Sequence, residues 1–138
     1  EDVELQWAIQ ASNHAETYFN IITAVDPTTL KLTKYDDEIY KKFKDEFPDF
    51  KIDVIDTEQL KSPEAKLKWR PFCEEFKEVE DYNYGSLLRL DATKDYSESN
   101  SIFALRIQFL AIEIARNREG LNSNLRFTKG QTEKSETS

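Results

Sequence analysis

The sequence predicts an all-α protein: a compact helical bundle around a buried C-terminal helix, with short helices and an extended connector. Three observations lead there. First, Ile102 to Arg118 reads IFALRIQFLAIEIARNR, in which Ile107, Leu110 and Ile114 repeat at helical spacing with Phe103 one turn earlier. Phe109, Ile112 and Ala115 cover much of the remaining circumference, and a helix apolar nearly all round belongs inside a domain. Second, the other long segments carry one-sided apolar stripes of the same period. Third, three Gly and four Pro are too few for an all-β sandwich, which spends these residues on turns. Alternation of Ile107, Phe109 and Ala111 keeps a strand reading of part of this stretch open.

The elements follow in order. Asp2 to Val25 contains no Gly or Pro, and Ala8, Ala11, Ala15, Tyr18 and Ile22 fall on one helical face. Asp26-Pro27 reads as N-cap and first position of a short helix, PTTLKL. In Thr33 to Phe47, Tyr35, Ile39, Phe43 and Phe47 recur every four residues, with Thr33 as the expected N-cap and Pro48 as the stop. Phe50 to Ile55 alternates without an evident partner strand, and is expected as an extended connector with Ile52 and Val54 inward. Asp56 to Gln59 resembles a capping box, and Ser62-Pro63 is a second cap and first-position pair. Ala65, Trp69, Phe72, Phe76 and Val79 then form a stripe that Pro71 should kink or divide into two helices. Tyr82 to Gly85 reads as a turn, Ser86 as the cap of a short helix LLRL, and Lys94 to Ser101 as a polar loop. Gly120 stands where a left-handed C-cap belongs. Residues 1–122 are thus one helical domain, and 123–138, poor in apolar residues and without period, a disordered polar tail.

Composition narrows the function classes. A net charge of −8 disfavours bare nucleic acid and anionic membranes and suits basic partners. The apolar run of the last helix falls far short of the roughly 20 residues that a membrane span needs. A single cysteine, Cys73, permits no internal disulfide and fits a reducing compartment. No apolar leader follows Glu1, so a cytoplasmic or nuclear location is expected.

A search for chemistry finds little. His14 is the only histidine and reads as a packing residue, while Cys73 lacks the partners that a metal site requires. No glycine-rich phosphate loop or nucleophile elbow is present. Adjacent acids such as Asp36/Asp37 point about 100° apart on a helix and do not converge on one atom. Neither a cofactor nor a metal is expected, and no enzymatic turnover. Two stretches suit binding instead. Arg116-Asn117-Arg118 closes the last helix, where cations also match the dipole. Asp81-Tyr82-Asn83-Tyr84 is a turn with two aromatics, which either anchor a partner or pack over the core.

LKLTKYDDEIY (30–40), KWRPF (68–72), EDYNYGSLLRLD (80–91) and RIQFLAIEIARNREGLN (106–122) resemble, in this order, the small eukaryotic proteins called polysaccharide biosynthesis domain-containing. The resemblance extends from about Trp7 to Asn122. It implies a helical-bundle fold and a co-translational chaperone role towards the GTP-binding domain of translation elongation factor 1-alpha, a basic client. A monomer is expected, and its acidic charge implies that it reaches the ribosome through the client or another protein factor rather than through RNA. Two alternatives stay open: a general interaction module reading a basic or tyrosine-rich peptide of the transcription machinery, and an uncharacterised enzyme of glycan synthesis. The expected client surface combines Asp36 and Asp37 with Glu78, Glu80 and Asp81, the tyrosines Tyr82 and Tyr84, and the helix end Arg116, Asn117 and Arg118.

Overall fold

A computed structural model of the chain describes residues 2–79, 82, 84–94 and 96–122. Among them the order is α1 (Asp2–Ala24), α2 (Asp36–Glu46), α3 (Glu58–Lys61), α4 (Pro63–Glu75), β1 (Gly85–Arg89), β2 (Ser101–Leu105) and α5 (Arg106–Arg118). The polar tail expected at 123–138 lies outside the described residues. The architecture is a mostly helical bundle with an extended connector, a small hairpin and a buried C-terminal helix.

Helix α5 is the centre of the core. Every residue from Ile107 to Asn117 is buried, polar ones included. Its first N–H groups are met by the preceding turn: Arg106 N–H donates to Tyr84 O (2.7 Å) and Ile107 N–H to Tyr82 O (2.9 Å). Gly120, with φ of 80°, ends it in the left-handed conformation that a Cβ would disfavour. Leu121 N–H then reaches back to Arg116 O at 2.8 Å, a Schellman closure.

Around α5, the stripe of α1 buries Ala11, Ala15, Tyr18 and Ile22. An aromatic layer joins α2 to α4: the Trp69 ring stacks on Phe47 at 4.2 Å and on Phe43 at 5.9 Å, with Phe72 edge-on to both phenylalanines. Such pairs add to their area burial by about 0.5–1.5 kcal/mol each. Caps fall where the sequence placed them at Asp26, whose carboxylate accepts from Thr28 N–H, and at Ser62, whose hydroxyl accepts from Ala65 N–H.

Six local expectations are corrected or narrowed. The segment after Asp26 makes only a 3-10 turn, Pro27–Thr29. Pro71 does not divide α4, which runs through it. The carbonyl that proline deprives of its donor belongs to Leu67, four residues earlier; Leu67 and Pro71 both face solvent, where water can satisfy it. In the connector Ile52 and Ile55 point inward and Val54 is exposed. The connector also has a partner, since Ile55 N–H donates to Leu90 O and Ala92 N–H to Asp53 O, both at 2.8 Å. LLRL is strand rather than helix, and Ile102 to Leu105 are strand too, so α5 starts at Arg106 and Phe103 lies outside it. The hairpin pairs Gly85 with Leu105, Leu87 with Phe103 and Arg89 with Ser101. Period two wins there because Ser86, Leu88 and Ala104 are buried beneath the hairpin while Phe103 and Leu105 stay exposed.

Truncating the core at α5 tests this arrangement: Leu110→Ala should cost about 2–5 kcal/mol by denaturant unfolding, as large-to-small core changes do. A loss below half a kilocalorie would mean that α5 is not the packed centre.

Candidate functional site

Within the core lies a closed polar cluster built on Glu113, whose side chain is fully buried. Its Oε1 accepts from Tyr18 Oη (2.8 Å), Asn122 Nδ2 (3.0 Å) and Arg89 Nη2 (3.4 Å), and its Oε2 from Arg116 Nη1 (2.8 Å). Arg116 continues to the carbonyls of Ile52 (2.7 Å) and Leu90 (3.2 Å). Arg89 donates to Ala92 O, Lys94 O and Asn122 Oδ1, while its guanidinium lies over the Phe19 and Tyr96 rings. Asn117 donates to Tyr18 Oη. Burial pushes the Glu113 carboxyl up, but the Arg89 and Arg116 guanidiniums outweigh it and hold the group below its ordinary 4.5. Burial likewise draws Arg116 below its ordinary value, with Glu113 opposing, and the guanidinium keeps its charge. Tyr18, deeply buried and bonded to a carboxylate, stays a phenol. Arg89, Glu113 and Arg116 are fully buried, so the chemistry of the cluster is structural.

The accessible concavity lies elsewhere. Between α1, residues 30–35 and the start of α5 runs a groove of about 770 Å³. Ile21, Leu30, Leu32 and Leu110 supply apolar lining, and Lys31, Lys34, Arg106 and Glu78 the charges. His14 sits in it, edge-on to Phe109 at 5.2 Å. Burial first, and the nearby Arg106 second, bring the His14 pKa down to about 4, so it is neutral at physiological pH. Tyr35, Glu78 and Val79 are shared with a second recess, where Glu38, Asp45 and Glu75 add three more exposed acids beside Lys41 and Lys42. The two recesses adjoin through these residues: the first combines apolar lining with Lys31, Lys34 and Arg106, and the second is acid-rich.

The residues expected at the client surface are dispersed by the fold. Asp36 is a correction: it is 1% exposed, because its carboxylate turns back to accept the N–H groups of Leu32 and Thr33, both at 2.7 Å. Arg116 and Asn117 are also corrections, buried as partners of Glu113 and Tyr18 rather than displayed at a helix end. Asp37 and Arg118 do meet, as an exposed ion pair beside Tyr40 and Glu119. The Arg118 guanidinium holds the Asp37 carboxyl below its usual range. Glu78 lines the groove, whereas Glu80 and Asp81 lie outside the described residues. Tyr82 packs against the core and Tyr84 is half exposed. Among the described residues no three or more His, Cys, Asp or Glu stand where they could hold a metal ion. No described helix is long and apolar enough to cross a membrane. Cys73 is buried, with its thiol pushed up to about 11, and is unreactive.

The polar cluster makes two predictions. Glu113→Gln leaves two buried guanidiniums without a counter-charge and should cost about 3–5 kcal/mol. Because the folded-state pKa of Glu113 is depressed, its stabilisation is present above pH 4.5 and is lost as pH falls through the folded value. His14 adds a second window. The unfolded chain takes up its proton below about 6.5 and the folded chain only near 4, so stability declines across that interval, and His14→Gln should flatten it. Unfolding free energies measured from pH 3 to 8 check both.

The chain matches the family model described as PBDC1 protein over residues 3–127. It is 61% identical over 122 residues to Protein PBDC1 of Mus musculus, covering 88% of this chain and 62% of the relative. The human protein is 60% identical over the same length, with 52% of its own length covered. The chain therefore spans between half and two thirds of these animal relatives. The homolog from Saccharomyces cerevisiae is 47% identical over 127 residues, and there 87% of the relative is covered. A solution NMR structure of a Saccharomyces cerevisiae protein superposes with a TM-score of 0.83 at 45% identity, covering 91% of this chain and 89% of that one. The resemblance carried by the four sequence blocks is thereby confirmed as kinship. The chain belongs to the PBDC1 protein family.

Proposed function

We propose that this chain is a binding protein for a folding client, the GTP-binding domain of translation elongation factor 1-alpha as it emerges from the ribosome. The observation that carries the reading is the groove, with its apolar lining, and the acid-rich recess that adjoins it. A partly folded domain exposes apolar segments before its core closes, and the groove offers Ile21, 42% exposed, with Leu30 and Leu32 behind it. A basic client is attracted to the recess that holds Glu38, Asp45, Glu75 and Glu78. The identity of the client comes from the family resemblance, and a cytoplasmic location at the translating ribosome follows from that role. An anionic surface is repelled by ribosomal RNA, which favours recruitment through the client or a protein factor.

Recovery of elongation factor 1-alpha with the chain from a translating lysate is the direct test. The variant Ile21→Glu combined with Glu38→Lys and Glu78→Lys should weaken the client at least tenfold. All three side chains are exposed, so stability should change by no more than about 1 kcal/mol. Association should slow as salt rises, because steering is screened. If the wild-type chain recovers no elongation factor, the reading fails.

A further inference from the structure

Away from the groove and its acids lies a surface whose charge is opposite to that of the chain. Between α3, α4 and the end of β2 lies a recess of about 400 Å³. Among the described residues Lys61, Lys66 and Arg70 stand around it against one acid, Glu74. In a chain of net −8 this is a local reversal of sign. None of the three cations is in an ion pair among the described residues, while Lys42, Lys44, Arg89, Arg116 and Arg118 all are. Burial, and then Lys66, pull the Lys61 pKa below 10.5, as happens to a lysine lacking a counter-anion.

The recess also follows an open strand edge. Leu90 N–H donates to Asn100 O and Arg106 N–H to Tyr84 O at the two ends of the hairpin. With the register Ser86–Ala104 and Leu88–Ile102, this sets the antiparallel alternation: those two pairs exchange the ladder hydrogen bonds. The peptide groups of Phe103 and Leu105 therefore point away from β1. Side-chain contacts agree, since Leu105 N–H donates to Gln108 Oε1 (2.9 Å) and Phe103 O accepts from Lys61 Nζ (2.7 Å). Phe103 N–H faces outward with no such partner among the described residues. The side chains of Phe103 and Leu105 are 45% and 37% exposed on the same face. A strand edge is a template for another strand; here Gln108 holds Leu105 N–H, and Phe103 O is guarded by a lysine that an incoming carboxylate can draw away.

The geometry points to a second interaction surface: an extended acidic segment of a partner protein adds to the outer edge of β2 at Phe103, its carboxylates meeting Lys61, Lys66 and Arg70. The partner residue opposite Phe103 takes its N–H and supplies a donor for its carbonyl, which Lys61 releases. Alternate side chains of the segment then point to opposite faces, so an acidic residue faces the recess while an apolar neighbour covers Phe103 and Leu105. Net charge disfavours an anionic lipid surface as occupant, because the rest of the chain repels it. The site is separate from the acid-rich groove and prefers a partner of opposite charge to the one proposed there.

A fluorescein-labelled octapeptide of alternating glutamate and valine, titrated with the full chain, tests the inference by anisotropy. Binding should weaken as salt rises and fall at least tenfold in the Lys66→Glu, Arg70→Glu double variant, whose far-ultraviolet circular dichroism should match the wild type. Both residues are exposed, so folding is not at stake. The same peptide N-methylated at alternate residues keeps its charge but loses main-chain donors, and should also bind at least tenfold more weakly. The inference is overturned if the acidic peptide does not bind, if a lysine-for-glutamate peptide binds as well, or if the N-methylated peptide is equivalent. Undiminished binding by the double variant overturns it too, as does capture by phosphatidylserine vesicles with no capture of the peptide.

Discussion

The Glu113 carboxylate, shut away from water and held by two guanidiniums, a phenol and an amide, is the constraint on which the other elements converge. Its partners come from almost every part of the chain: Tyr18 from α1, Arg89 from β1, Arg116 from α5 and Asn122 from the closing turn. Arg116 extends the tie to the connector through Ile52 O, and Arg89 to the turn after β1 through Ala92 O. An ion enclosed this way gains little net stability over apolar packing, because desolvation offsets most of the attraction. It gains selectivity instead. Any packing that leaves one of these groups without its partners strands a charge in a low dielectric, so competing arrangements of the helices are costly.

The same tie explains why an otherwise helical protein carries a hairpin. Period two puts Ser86 and Leu88 under one face of β1, while Arg89, on the opposite face, reaches Glu113 with its guanidinium over the Phe19 and Tyr96 rings. Strand β2 runs directly into α5 without a loop, and the carbonyls of Tyr82 and Tyr84 meet the helix's first N–H groups. The hairpin therefore serves as the mount for the central helix, and it leaves one edge of β2 facing solvent beside α3 and α4.

Charge is distributed in space more sharply than along the chain. The acids of α2 and the end of α4 gather around one recess, while the cations of α3 and early α4 gather around another. Pro71 marks this division in the sequence, with Lys66, Lys68 and Arg70 before it and Glu74, Glu75 and Glu78 after it. An overall acidic protein can in this way present both signs to partners, each at a separate apolar recess, and the −8 describes neither surface.

Helical periods, caps and the buried last helix were legible in the sequence because they depend on neighbours three and four residues apart. Asp26, Ser62 and Gly120 act locally and behave as their residue types dictate. The client surface was not legible, because exposure is a property of the folded whole: Asp36, Arg116 and Asn117 look like surface residues and are buried. A hint was present, in that Arg89, Glu113 and Arg116 sit inside the most apolar stretches, where an unpaired charge is costly. Which partners would neutralise them could not be read, since Tyr18 and Glu113 lie 95 residues apart. The helix expected for LLRL failed for the same reason: Gly85–Arg89 pairs with Ser101–Leu105, a partner that the local pattern does not announce.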